Sequence, residues 1–133
     1  MTPLTSLDIN AAREFTRHFE QLFNFGDAVG MAACYSEGAR LLAENTELIQ
    51  GRADIERFWR YAIDRARAAH AVRTISLDEV TSSGDLGYML GTVTVRIPDG
   101  PQLITKYAVI WQRDADGRWR IAVDSSSPNP PAR

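Results

Sequence analysis

The apolar pattern of this 133-residue chain changes period once, near Ala71, and that change limits what it can fold into. Before it, Phe15, Phe19, Leu22 and Phe23 recur at helical spacing, as do Ile55, Phe58, Trp59, Ala62, Ile63 and Ala66. After it, VRTISLDEV, LGYMLGTVTVRI, QLITKYAVIWQRD and RWRIAVDSS alternate or run rich in β-branched residues. Helices first and strands afterwards is the order of an α+β layer fold, not of alternating βαβ units. Short turns between long neighbouring strands imply an antiparallel meander.

The boundaries follow from capping and turn chemistry. Asp8 or Asn10 caps a first helix, over about Asp8–Phe25, and Gly26 ends it. Asp27 caps a second, from Ala28 to Tyr35, which Gly38 stops. ARLLAEN and ELIQ read as strands around a turn, and Gly51 introduces a third helix over about Ala53–Ala69. SSGD, PDGP and DADG are turns, with Gly117 suited to the left-handed position of a bulged three-residue turn. The serine- and proline-rich tail, residues 126–133, is expected to be extended. No repeat or linker divides the chain, so residues 1–133 read as a single domain.

Composition narrows the partners. A net charge of −2 and a pI near 5.6 lack the basic footprint of a nucleic-acid binder. No apolar run approaches membrane-spanning length, and no basic start precedes an apolar stretch, so neither a span nor a secretory leader is expected. Cys34 is the one cysteine, which excludes an internal disulfide framework. A cytoplasmic setting is the expectation. His18 and His70 lack ligand spacing and no glycine-rich phosphate loop occurs, so no metal or cofactor is expected.

The pieces FNFGDAVGMAACYSEGARLL, IQGRADIERFW, SSGDLGYMLGTVTV and TKYAVIWQRDADGRWRIAVDSSSPNPP span nearly the whole chain. In that order they resemble the nuclear transport factor 2-like superfamily, and within it the SnoaL-like and ketosteroid-isomerase-like group. The resemblance implies a cone-shaped, curved, mostly antiparallel sheet wrapped around the three N-terminal helices, a cystatin-like α+β barrel. It also implies a cavity open at one end and a homodimer formed through the sheet. It does not fix one activity, because this fold carries isomerases, cyclases, dehydratases and modules without chemistry.

Ketosteroid isomerases use a helix-one tyrosine as donor to the developing enolate and an aspartate after helix two as base. At the matching places, seven residues before Gly26–Asp27 and eight after Tyr35, this chain carries Phe19 and Ala43. Neither has the required group. Glu44 adjoins the second, but neighbours in a strand face opposite sides.

A different pair is expected to carry any chemistry. If Asp114 lies opposite Arg118 across the DADG turn, continuing the ladder sets Ala108 opposite Asp124. Lys106, Ala108 and Ile110 then share a face with Ala122, Asp124 and Ser126, and Tyr88, Thr92 and Thr94 join it from the preceding strand. The resemblance turns this face toward the cavity. Lys106 and Asp124 become diagonal neighbours, either a proton acceptor with its orienting cation or a buried ion pair that fixes the sheet. Tyr88, His18, Phe19, Trp59, Thr92 and Ala108 are expected around the ligand, although His18 also suits a helix boundary. A one-residue slip of register would separate Lys106 from Asp124. The opposite face, with Val93, Val95, Val109, Trp111, Ile121 and Val123, is too apolar to stay wet and needs the helices or a second subunit over it.

Two functions compete. One is a proton-transfer enzyme, an isomerase, cyclase or dehydratase, acting without a cofactor on a small hydrophobic carbonyl compound. The other is a non-catalytic dimeric module that binds a small molecule.

Overall fold

Side chains satisfy the starts of the first two of the three helices. Asp8 caps α1 (Ile9–Phe25) by accepting from the Ala11 N–H at 2.8 Å, and Gly26 closes it at φ 85°, a conformation that residues with a Cβ avoid. Asp27 caps α2 (Ala28–Ala33) through the Gly30 N–H, and α3 (Arg52–Ala68) follows Gly51. His70 takes the left-handed position just beyond α3, where its N–H donates to the Arg67 carbonyl. These elements belong to a computed structural model that describes residues 4–130.

Six strands follow or interleave: β1 (Tyr35–Leu42), β2 (Ile49–Gln50), β3 (Val72–Ser83), β4 (Leu86–Arg96), β5 (Gln102–Arg113) and β6 (Trp119–Pro128). They form one curved, unclosed sheet in the order β2-β1-β6-β5-β4-β3. Every neighbouring pair is antiparallel except β1 and β6, which run parallel. The result is the expected cone-shaped α+β fold. Among the described residues, no helix is long and apolar enough to cross a membrane.

Two boundaries differ from the sequence expectation. The second helix stops at Ala33 and Tyr35 opens β1, so Gly38 lies inside a strand instead of ending a helix. The cause is tertiary: the Ile121 N–H donates to the Cys34 carbonyl at 2.9 Å and Tyr35 stands beside Ile121, so β6 recruits this segment as a partner. The tail is strand as far as Pro128, and residues 131–133 lie outside the described residues.

The last hairpin decides which side chains face inward. Its turn is the expected one, with the Asp114 N–H donating to the Arg118 carbonyl at 2.8 Å and Gly117 at φ 81°. Trp111 faces Ile121 as the ladder requires. One step on, Ile110 faces Val123, so Ala122 is an extra residue without a partner, a β-bulge. Beyond it Asp124 stands opposite Val109 instead of Ala108.

Val93, Val109, Trp111 and Ile121 are buried on the inner face of the sheet. The helices cover it: Phe15 meets Trp111 edge-on with centroids 4.6 Å apart, and Phe19 and Phe23 each make a T-shaped contact with Trp59 of α3. Val123 does not belong to this face, because the bulge sets it beside Ile110. Gly91 lets Tyr107 cross β4 and donate to the Ser76 carbonyl on β3 at 3.0 Å; a Cβ there would collide with both groups.

β3 is an edge strand, and α1 satisfies part of its free side. The Arg73 N–H donates to Asn24 Oδ1 at 3.1 Å, Asn24 Nδ2 donates to the Arg73 carbonyl at 2.9 Å, and the Ile75 N–H donates to Glu20 Oε2 at 2.9 Å.

Candidate functional site

Between the helices and the inner face of the sheet lies a cavity of about 170 Å³. Its wall is mostly apolar, with Phe15, Phe19, Phe58 and Trp59 from the helices and Met89, Val93 and Val109 from the sheet. Two charged side chains interrupt that wall, Asp124 from β6 and Arg73 from β3.

A chain of hydrogen bonds that spans three elements ends on the Asp124 carboxylate. Tyr35 Oη donates to Asp124 Oδ2 at 2.6 Å, and Trp59 Nε1 donates to Tyr35 Oη at 3.1 Å. Tyr35 is fully buried, and Arg52 grips its backbone carbonyl through both Nε (3.1 Å) and Nη2 (2.8 Å). A residue at the first position of β1, a helix tryptophan and a β6 aspartate therefore form one chain of hydrogen bonds.

Burial raises the pKa of the Asp124 carboxyl, while the Tyr35 hydrogen bond and the Arg73 charge act in the opposite direction. Burial, followed by the Asp124 charge, holds the Tyr35 hydroxyl well above its ordinary value. The proton of this pair therefore stays on Tyr35, and Asp124 is the acceptor. Removing that donor in Tyr35→Phe leaves Trp59 Nε1 unpaired. The expected cost is about 1–3 kcal/mol of stability in urea unfolding, with a further rise of the Asp124 pKa in carboxyl 13C NMR titration.

Arg73 lies with its guanidinium 4.9 Å from the Phe23 ring centroid and 5.1 Å from that of Trp59. Burial lowers its pKa, and the Asp124 charge works against that. Its Nε is buried without a hydrogen-bond partner among the described residues.

The structure brings Asp124, Phe19 and Trp59 to the cavity, together with Ala43. It separates Lys106 from Asp124. Lys106 is exposed on the outer face, where its Nζ donates to the Pro128 carbonyl at 3.1 Å. Ala108, Thr92 and Tyr88 share that outer face, and Tyr88 Oη donates to Glu79. The expected grouping of Lys106, Ala108, Ile110, Tyr88 and Thr92 on one surface holds in the register, but that surface is the outer one. The bulge at Ala122 is the reason Asp124 parts company with it. His18 on α1 is half-buried and does not line the cavity; its Nε2 is enclosed without a hydrogen-bond partner among the described residues.

Tyr35 and Arg73 were not among the expected site residues. Arg73 carried a signal: in VRTISL it falls in phase with Ile75 and Leu77, a charge on the apolar parity of a strand. Tyr35 carried none, since 89 residues separate it from Asp124.

A cone of sheet and helices thus surrounds a mostly apolar cavity with one carboxylate among its described lining residues. Residues 15–121 match the SnoaL-like domain, and the chain belongs to that family. A search of curated proteins finds no match. Among solved structures, a nuclear transport factor 2-like protein with a cystatin-like fold from Novosphingobium aromaticivorans is similar at 17% identity and a TM-score of 0.79, over 91% of this chain and 81% of that one. A domain with a cystatin-like fold from Nostoc punctiforme aligns at 22% identity and a TM-score of 0.81, over 93% and 78%. A ketosteroid isomerase-like protein from Erwinia carotovora atroseptica aligns at 15% identity and a TM-score of 0.70, over 90% and 93%. At these identities the likeness establishes the shared fold.

Proposed function

We propose that the cavity takes a small hydrophobic carbonyl compound and that Asp124 moves a proton on it, in an isomerisation, cyclisation or dehydration. The observation that carries this reading is the Asp124 carboxylate, the only acidic group among the described residues lining the cavity, held by Tyr35 and surrounded by apolar side chains. Burial makes it a stronger base than an exposed aspartate, and a general base works best as its pKa approaches the working pH. The reading is tested by incubating the protein in D2O with a panel of small cyclic ketones and enones and following α-proton exchange by NMR. Exchange with at least one member is expected. Binding across the panel with no exchange would leave the second reading, a binding module without catalysis.

That second reading has its own support. Phe19 and Ala43, which stand where the resemblance to ketosteroid isomerases calls for a donor and a base, both line the cavity without a functional group. A cytoplasmic homodimer belongs to the same proposal. Its surface would be the outer face of β4 and β5, where Tyr88, Ile104 and Ile110 are exposed, and sedimentation equilibrium reads the outcome.

A further inference from the structure

Asp124 cannot take a proton from carbon unless something receives the charge left behind. When the C–H bond breaks, the proton goes to the carboxylate, its electron pair forms the C=C bond, and the carbonyl π pair moves to oxygen as an enolate. The negative charge has moved from Asp124 to the bound compound, inside a mostly apolar wall where an uncompensated oxyanion is costly.

Several donors at or behind that wall are already engaged. The Tyr35 hydroxyl donates to Asp124, the Trp59 N–H to Tyr35, the Tyr107 hydroxyl to the Ser76 carbonyl and the Thr16 hydroxyl to the Arg13 carbonyl. Thr105 and Ser126 offer only neutral hydroxyls. Arg73 is different. It is the only cation lining the cavity among the described residues, and its guanidinium makes no hydrogen bond or ion pair with them. An arginine's ordinary pKa is far above neutral, the Asp124 charge supports the protonated form against burial, and the group carries five N–H donors around its rim. Its contacts with Phe23 and Trp59 are made through ring faces, which orient the group without using those donors. Asn24 fixes the Arg73 backbone at both its N–H and its carbonyl, so the side chain starts from a fixed point.

We infer that Arg73 receives the negative oxygen of the bound compound, so that the ligands are small apolar molecules whose carbonyl becomes an enolate. This rests on the reading of Asp124 as the proton acceptor.

Substituted phenols test it, because a phenolate copies the shape and charge of an enolate and its absorbance reports ionisation. Below its solution pKa, a bound phenol is expected to show the phenolate spectrum. Arg73→Gln should lower phenolate affinity about 10- to 100-fold while leaving nitrobenzene, which cannot ionise, within about twofold. Asp124→Asn should bind phenolate as tightly as the parent or more tightly, since one negative charge is gone. Should Arg73→Gln lose its near-UV circular dichroism, Arg73→Lys carries the test: the bound phenol must remain ionised there. Phenols bound in neutral form, no phenol binding, or phenolate affinity unaffected by Arg73→Gln would each overturn the inference. Arg73-dependent phenolate binding with no proton exchange in the parent protein would instead overturn the role given to Asp124, leaving Arg73 as the receptor of an anionic ligand oxygen.

Discussion

Asp124→Asn is expected to reduce proton exchange on any carbonyl substrate by about 10²–10⁴-fold, the usual contribution of a positioned general base, with ligand affinity nearly unchanged. Asparagine keeps the volume and keeps an oxygen to accept from Tyr35, so the loss would report the missing base and not a collapsed cavity. Stability supplies the control. The folded-state pKa of Asp124 lies above the ordinary 3.8, so between those values the native state holds more proton than the unfolded chain. The Asp124 contribution to stability therefore falls as pH rises through that window and is least favourable above it. Asp124→Asn removes this penalty. At neutral pH the variant should be at least as stable as the parent, with a flatter pH dependence in urea unfolding. A variant that is both inactive and clearly less stable at neutral pH would point to a structural role.

Trp111→Ala should give the largest loss of stability, about 3–5 kcal/mol, since it empties a fully enclosed site beneath Phe15. Trp111→Phe separates packing from polarity. Trp111 Nε1 is buried without a hydrogen-bond partner among the described residues, so the phenylalanine variant loses ring volume but also loses an unsatisfied donor. Its cost in urea unfolding should be a fraction of that for alanine. Equal costs for the two would mean that the edge-on contact with Phe15 depends on the full indole.

The sequence makes the layers of this fold readable because they rest on local rules. Asp8, Gly26 and Asp27 mark helix ends by capping chemistry, and Gly117 marks the final turn by its backbone freedom. The cavity was less readable because its parity depends on one extra residue. Every pairing from the turn to Trp111–Ile121 follows from DADG, but nothing in RIAVD announces that Ala122 stands outside the ladder. Asp124 reaches the cavity across that irregularity, while Lys106, on a regular strand, stays outside. Tyr35 illustrates a different limit: local spacing reads it as the last turn of a helix, and only pairing with a strand from the far end of the chain makes it the first residue of β1. Arg73 was legible in principle, as a charge on the wrong parity.

The attachment of Asn24 and Glu20 to the border of the sheet also bears on how the molecule meets its neighbours. An unpaired border strand invites another polypeptide to extend the sheet. From Arg73 to Ile75 that invitation is withdrawn, because α1 already occupies the main-chain groups an incoming strand would need. Growth by strand addition would have to begin nearer Ser83, at the end remote from the arginine. Recruitment of a partner along this margin would then leave the guanidinium and its aromatic bed undisturbed.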